Sequence, residues 1–328
     1  MEAWNDKKEK KVLRRYRFML TLKIIRVALM ILFLFAMYML VLSIAYDKTS
    51  KGEKLVAYSN LALDWSYPGI TGYHHRLQSA EISPFFTQET SVQMYRRIGN
   101  EDVHVGELEV NKPFFTNLTS VRAQHEREND QPQFRFYLPD NPETGDDLDA
   151  GSHFGVWETL EKVHEGTVAD LAFSTDEFLS PEDMFVLLED YDLDVTWMPL
   201  YMGELDTFSE GWSGGSNEMT VEPWGLTHGR EYDSDYRISS SIDLNEDYVQ
   251  ENQDMILENM NRLYDEDKKL AEAVFQTQHF KERIDYLEEN GFNVYGAVVT
   301  GPTKELLKLQ EVEDIRGAQL GEVTYWNW

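Results

Sequence analysis

Cysteine is absent from all 328 residues. The chain therefore has no disulfide, no thiol nucleophile, no redox-sensing thiol and no Cys to lipidate. Any domain it forms outside a cell is held by its core alone. Positive charge is scarce too: 30 Lys and Arg stand against 59 Asp and Glu, for a formal net charge of −29. That balance argues against nucleic acid as a partner and against anionic wall polymers. Disorder is excluded in turn, because 42% hydrophobic and 13% aromatic residues supply enough side chains to pack.

The few cations are concentrated at one end. Residues 1–26 hold nine of them (Lys7, Lys8, Lys10, Lys11, Arg14, Arg15, Arg17, Lys23 and Arg26) against Glu2, Asp6 and Glu9, so the rest of the chain carries 21 basic and 56 acidic residues. Directly after this leg comes Val27 to Tyr46, VALMILFLFAMYMLVLSIAY, without charge, Gly or Pro. As a helix at ~1.5 Å per residue it spans the ~30 Å hydrocarbon core of a bilayer. Lipid offers no partners to an unpaired backbone, so a helix is the expected form. The positive-inside bias predicts a cytoplasmic N-terminus and an exported remainder. Arg14, Arg15, Arg17, Lys23 and Arg26 are the expected anchors on anionic headgroups, with Val27 and Tyr46 as the limits of the span. The competing reading is a cleaved signal with Ser43-Ile44-Ala45 as its site, but signal apolar regions run to ~7–15 residues.

After a polar stalk, Asp47 to Lys54, the stretch Leu55 to Tyr137 reads as mostly strands and turns. Ser91–Tyr95 and Val103–Val110 alternate apolar and polar residues around an Arg97-Ile98-Gly99-Asn100 turn, and Gln133–Tyr137 alternates as well. Leu138 to Ser152 concentrates Pro, Gly and Asp and is the expected boundary, 141–152 being an acidic linker between a β-rich domain, 47–140, and an α+β domain, 153–328.

The second domain alternates strands with helices. Val168–Phe173 and Val195–Met198 flank a helix opened by Ser180 at the N-cap and Pro181 at its first position. Val294–Thr300 and Val323–Trp326 flank another, started by Gly301-Pro302-Thr303. Two such units predict a split, ferredoxin-like α+β arrangement with helices on one face of a sheet. Between them, Val249, Ile256, Met260, Leu263, Leu270 and Val274 mark one helical face within Leu244 to Asn290. That insertion is one long helix or two broken near Asp265-Glu266-Asp267, with Asp243 or Asn245 to cap it and Gly291 to end it.

Catalytic motifs fail on their details. Gly211-Trp212-Ser213-Gly214-Gly215 has the G-x-S-x-G form, with His228 and His279 downstream, but lacks the strand before and the helix after that expose a nucleophile. The expected role is a Gly/Ser loop with Trp212 folded over the core. His125-Glu126 and His164-Glu165 have Asn129 and Val168 where a zinc protease needs its second His. Asp190, Asp192 and Asp194 imitate a calcium loop whose Gly and final Glu are replaced by Val195 and Tyr201. His74-His75 lacks further ligands nearby, and Asn117-Leu118-Thr119 is a common chance sequon. No catalytic residue, metal ligand or cofactor is assigned.

GTVADLAFST (166–175), VTWMPLYMG (195–203), NVYGAVVTGPTKELLKLQ (293–310) and IRGAQLGEVTYWNW (315–328) resemble the sigma factor regulator family, as does SVQMYRRIGNEDVHVGELEV (91–110). Its members are membrane-anchored anti-sigma factors of Gram-positive bacteria. The resemblance implies a signalling protein without enzymatic activity. Its cytoplasmic leg contacts an extracytoplasmic-function sigma factor or an associated membrane subunit, while the external part meets an unknown envelope ligand. The leg is shorter than the family's usual cytoplasmic region, and 26 residues present a partner surface best as a single helix. The alternatives are an external interaction module with no transcriptional role and, at the far end, a Ser213 hydrolase.

Overall fold

The computed structural model describes residues 6–72, 79–116, 118–125, 134–151, 155–215 and 217–328. His74-His75, the Asn117 sequon, Asn129 and the His153 boundary lie outside the described residues.

The apolar stretch lies in helix α1, Asp6–Asp47, which runs without a break through the basic leg as well. The expected stalk is only a turn. Ser50 adopts a left-handed conformation, φ 48°, and helix α2, Lys51–Ser66, begins one residue later. Leu55 to Tyr137 therefore opens on a helix, not on strands. The sequence hides it because every residue from Leu55 to Trp65 is buried, leaving no polar face to set a 3.6-residue period.

The first sheet holds β1 (Ile70–Gly72), β2 (Glu81–Ile82), β3 (Thr87–Ile98), β4 (Glu101–Pro113) and β5 (Ser120–His125), in the order β1–β3–β4–β5 with β2 also on β3. β3 and β4 form the hairpin expected from their alternation, with Val92, Met94 and Ile98 turned inward. Gly99 takes φ +61° in its two-residue loop, a conformation that favours glycine.

Next come α3 (Val156–Lys162), β6 (Thr167–Leu179), α4 (Pro181–Leu188), β7 (Asp194–Tyr201), β8 (Trp212–Ser213), β9 (Thr220–Val221), β10 (Trp224–Leu226), β11 (Gly229–Tyr232) and β12 (Ile238–Ile242). They are followed by α5 (Val249–Val274), α6 (Phe280–Asn290), β13 (Asn293–Pro302), α7 (Thr303–Lys308) and β14 (Ile315–Tyr325). The second sheet is antiparallel throughout, in the order β10–β7–β13–β6–β14. Ser180 Oγ accepts from the Asp183 N–H at 3.0 Å, as its N-cap position predicts. The helical insertion is interrupted twice: α5 kinks at Asp267, which leaves helical geometry, and residues 275–279 separate it from α6. All six residues of the predicted stripe are buried.

Strands β6, β7 and β13 are buried on both faces. One face turns Leu171, Phe173, Met198 and Val299 into a core cluster that also takes in α2, α5 and α6. The other carries Trp197, Tyr201, Tyr295 and Val298, covered by Phe134, Phe136 and Leu138 and by Met219 and Val221. Of the expected strand 133–137, the described residues 134–137 form no strand. Their alternation serves instead to press Phe136 on Trp197, ring centroids 5.3 Å apart, while the Tyr137 N–H donates to Ser174 Oγ.

The second sheet is tied to the first sheet and to α2 by buried polar contacts. The Gly99 N–H donates to Thr300 Oγ1 at 2.7 Å, Trp197 Nε1–H donates to the Asp64 carbonyl at 3.0 Å, and Arg96 faces Asp170 at 3.6 Å.

Candidate functional site

Two features stand apart from ordinary core. The first is α1. Every side chain from Lys8 to Tyr38 is exposed, including Leu32 at 62% and Phe33 at 64%. Water does not tolerate an apolar surface of that length on all sides of a helix, so lipid or another apolar medium must cover it. The helix is long and apolar enough to cross a membrane. At ~1.5 Å per residue, its 42 residues extend ~63 Å, about twice the hydrocarbon thickness. Arg14, Arg15, Arg17, Lys23, Arg26 and Val27 all lie exposed along it. Tyr46 sits apart from them at the other end. It is 5% exposed, accepts from Gln88 Nε2 at 3.0 Å and packs edge-on against Phe114.

The second feature is a cavity of about 380 Å³ between the sheets, lined by Thr71, Arg97, Asp194, His228, Arg230 and Asp243 among others. Volumes of this order hold small ligands. Its floor is a charged group that no local motif announced. Asp64, from α2, accepts from Arg230 Nε at 2.6 Å and from Nη2 at 3.3 Å, and from the Gly72 N–H at 3.0 Å. Arg230 Nη2 also donates to the Gly72 carbonyl at 2.7 Å and to Thr71 Oγ1 at 3.0 Å. Burial alone would lift the Asp64 carboxyl, but the Arg230 guanidinium and His228 outweigh it and hold the group below its ordinary range.

His228 faces the same carboxylate, Nε2 to Oδ2 at 3.5 Å, with Thr227 Oγ1 3.2 Å from Nδ1. Burial and the neighbouring Arg230 push the imidazole down to about 4, so it is neutral at pH 7. At the rim, burial raises Asp194 against the opposing pull of Arg97, and the nearby Asp192 and Asp243 add to the rise. The site is a polar recess whose deepest charges, Asp64 and Arg230, are paired with each other.

Ser213 is not brought together with either downstream histidine. It lies on the two-residue strand β8, its Oγ 2.8 Å from Thr220 Oγ1, while His228 belongs to the cavity and His279 stacks on Phe208. Trp212 beside it is 51% exposed rather than folded over the core. The polar glycine-rich flanks give the indole nothing apolar to lie on.

A bilayer-length helix with a basic end, joined to an α/β body with a polar recess, fits a membrane anchor. The comparisons with known proteins agree. The family "Sigma factor regulator C-terminal" matches residues 160–322 and "Sigma factor regulator N-terminal" matches residues 10–103, and the chain belongs to the sigma factor regulator family. It is also similar to the protein described as "Probable anti-sigma-M factor YhdL" of Bacillus subtilis (strain 168), with 28% identity over 173 residues, 52% of this chain and 43% of that relative. The matched region thus spans less than half of that relative's length. No solved structure matches. The family is regulatory rather than catalytic.

Proposed function

We propose that this chain is a membrane-anchored regulator of an extracytoplasmic-function sigma factor that couples a signal in the envelope to transcription. The observation that carries the reading is the continuity of α1: one exposed apolar helix joins a basic segment to an acidic, cysteine-free body. The positive-inside bias puts the basic end in the cytoplasm and the body outside. Membership of the family and the likeness to an anti-sigma-M factor support a sigma factor as the cytoplasmic partner. The helical form of the basic segment supports docking through a single helix, alone or beside another membrane subunit.

In this reading residues 47–140 and 153–328 are the external domains, linked by 141–152. The strand order β7–β13–β6–β14, built from β6–α4–β7 and β13–α7–β14, supports a split ferredoxin-like core for the second. The cavity over Asp64 and Arg230 is where an envelope ligand would act, because it lies where the two sheets meet. The test is genetic and biochemical. Deleting the protein raises transcription from the promoters of the sigma factor that co-purifies with it. An unchanged sigma output in the deletion strain contradicts the proposal.

The cavity also favours a second reading, an external ligand-binding module with no transcriptional role. Replacing residues 1–26 by an unrelated positive leader separates the two, since only the external module keeps full activity after the swap.

A further inference from the structure

The turn at the start of β3 and the turn that ends β4 lie beside α1, and both present bare aromatic rings. Phe85 is 86% exposed and Phe115 is 80% exposed, next to Phe86 and Phe114. Phe86 and Phe115 meet edge-on at 5.5 Å, and Phe86 meets Tyr38 of α1 at 6.5 Å. The Tyr38 hydroxyl donates to the Pro84 carbonyl at 2.9 Å. Tyr38 precedes Tyr46 by eight residues, ~12 Å along the helix. The aromatic turns thus flank the last two turns of the apolar span itself, not a point beyond its end.

Part of their backbone is already paired. The Ser83 N–H donates to the Thr87 carbonyl, the Phe86 N–H to the Ser83 carbonyl and the Phe114 N–H to the Phe86 carbonyl. Pro84 has no N–H, and its carbonyl is taken by Tyr38. Phe86 holds a φ of 59°, a strained conformation for a bulky residue, in the turn that leaves Phe85 outermost. Close by, the turn between α1 and α2 carries Lys48, and α2 opens with Lys51, its ammonium 5.2 Å from the Phe114 ring centre. These cations suit anionic headgroups, unlike the acidic remainder of the body.

We infer that the Phe85–Phe86 and Phe114–Phe115 turns insert into the outer leaflet of the bilayer, giving the body a second foothold that fixes its tilt on the span. The inference rests on the reading of α1 as a membrane span. Its occupant is lipid, because the rings stand beside the segment that lipid must already cover.

The native absence of Cys makes the test direct. Four single-Cys variants of the full chain, Phe85→Cys, Phe115→Cys, Leu34→Cys and Tyr325→Cys, are labelled with an environment-sensitive fluorophore. Each is reconstituted into vesicles of phosphatidylcholine and phosphatidylglycerol. None removes a buried side chain, Tyr325 being 88% exposed. Quenching is read with nitroxide lipids and with aqueous iodide. The Phe85 and Phe115 labels are expected to be quenched by shallow nitroxide, at a depth of about 5–10 Å, and shielded from iodide, with Tyr325→Cys the reverse. Labels that follow Tyr325→Cys, while Leu34→Cys is quenched by deep nitroxide, overturn the foothold and leave the span intact. Labels shielded from both quenchers point to a protein cover and also overturn it. Iodide quenching of Leu34→Cys overturns the span and the foothold together.

Discussion

Asp64 and Arg230, 166 residues apart in sequence, form a buried ion pair with Nε 2.6 Å from Oδ2, and this pair joins α2 to β11 beneath the cavity. Each group also bonds to β1, Asp64 through Gly72 and Arg230 through Gly72 and Thr71. Removing one partner strands a charge where water does not reach. Arg230→Met is therefore expected to destabilise the protein by about 3–5 kcal/mol. The double variant Asp64→Leu with Arg230→Met should recover much of that loss, because no lone charge remains. Urea unfolding of the protein in detergent reads both values, and equal losses in the single and double variants would contradict the assignment.

The second buried pair carries a pH signature of the opposite sign. Burial lifts the Asp170 carboxyl to about 6, although the Arg96 guanidinium and the Glu322 N–H oppose the rise. A carboxyl raised on folding adds stability below its ordinary value and loses it as pH climbs through 6. His228, pushed down to about 4, acts the other way: its contribution is present above its ordinary value of 6.5 and is lost as pH falls through 4. The two slopes oppose each other in the native chain. Asp170→Asn should gain on the native protein by up to about 3 kcal/mol between pH 4 and 7. His228→Gln should gain as pH falls over the same range. Unfolding midpoints across that range check both directions.

Helix α2 is the mechanical link between span and sheets. Leu63 is fully buried within it, so Leu63→Ala is expected to cost about 2–5 kcal/mol, measured by thermal or urea unfolding. A loss below about 0.5 kcal/mol, within the range of a surface change, would show that α2 is not packed as described.

Ser213→Ala should leave sigma-factor output unchanged, and a serine-reactive fluorophosphonate should not label the chain. The Ser213 hydroxyl is engaged with Thr220 on an exposed two-residue ladder, and among the described residues no base is hydrogen-bonded to it. Specific labelling at Ser213 would reverse this.

What the sequence disclosed follows the range of the interactions. The β3–β4 hairpin, the Ser180 cap and the α5 stripe are written in residues a few positions apart, and all three are present. Helix α2 was not legible, because a helix buried on every side has the composition of a buried strand. The alternation over 133–137 misleads in the opposite sense. Its alternating rings pack on Trp197 and Tyr295 without any ladder of hydrogen bonds. Trp212 was expected over the core, but its flanks are polar and it stands in solvent. The Asp64–Arg230–His228 group left only one trace, His228, singled out as a triad candidate. Its partners come from α2 and β11, and nothing in a linear pattern couples them.

The account turns on which side of the bilayer each end of α1 lies. Tyr325→Cys and Lys10→Cys, each the sole thiol of its chain, can be treated in intact cells with a membrane-impermeant maleimide. The account predicts labelling of Tyr325→Cys in intact cells and of Lys10→Cys only after permeabilisation. Labelling of Lys10→Cys from outside, or protection of Tyr325→Cys, would contradict it.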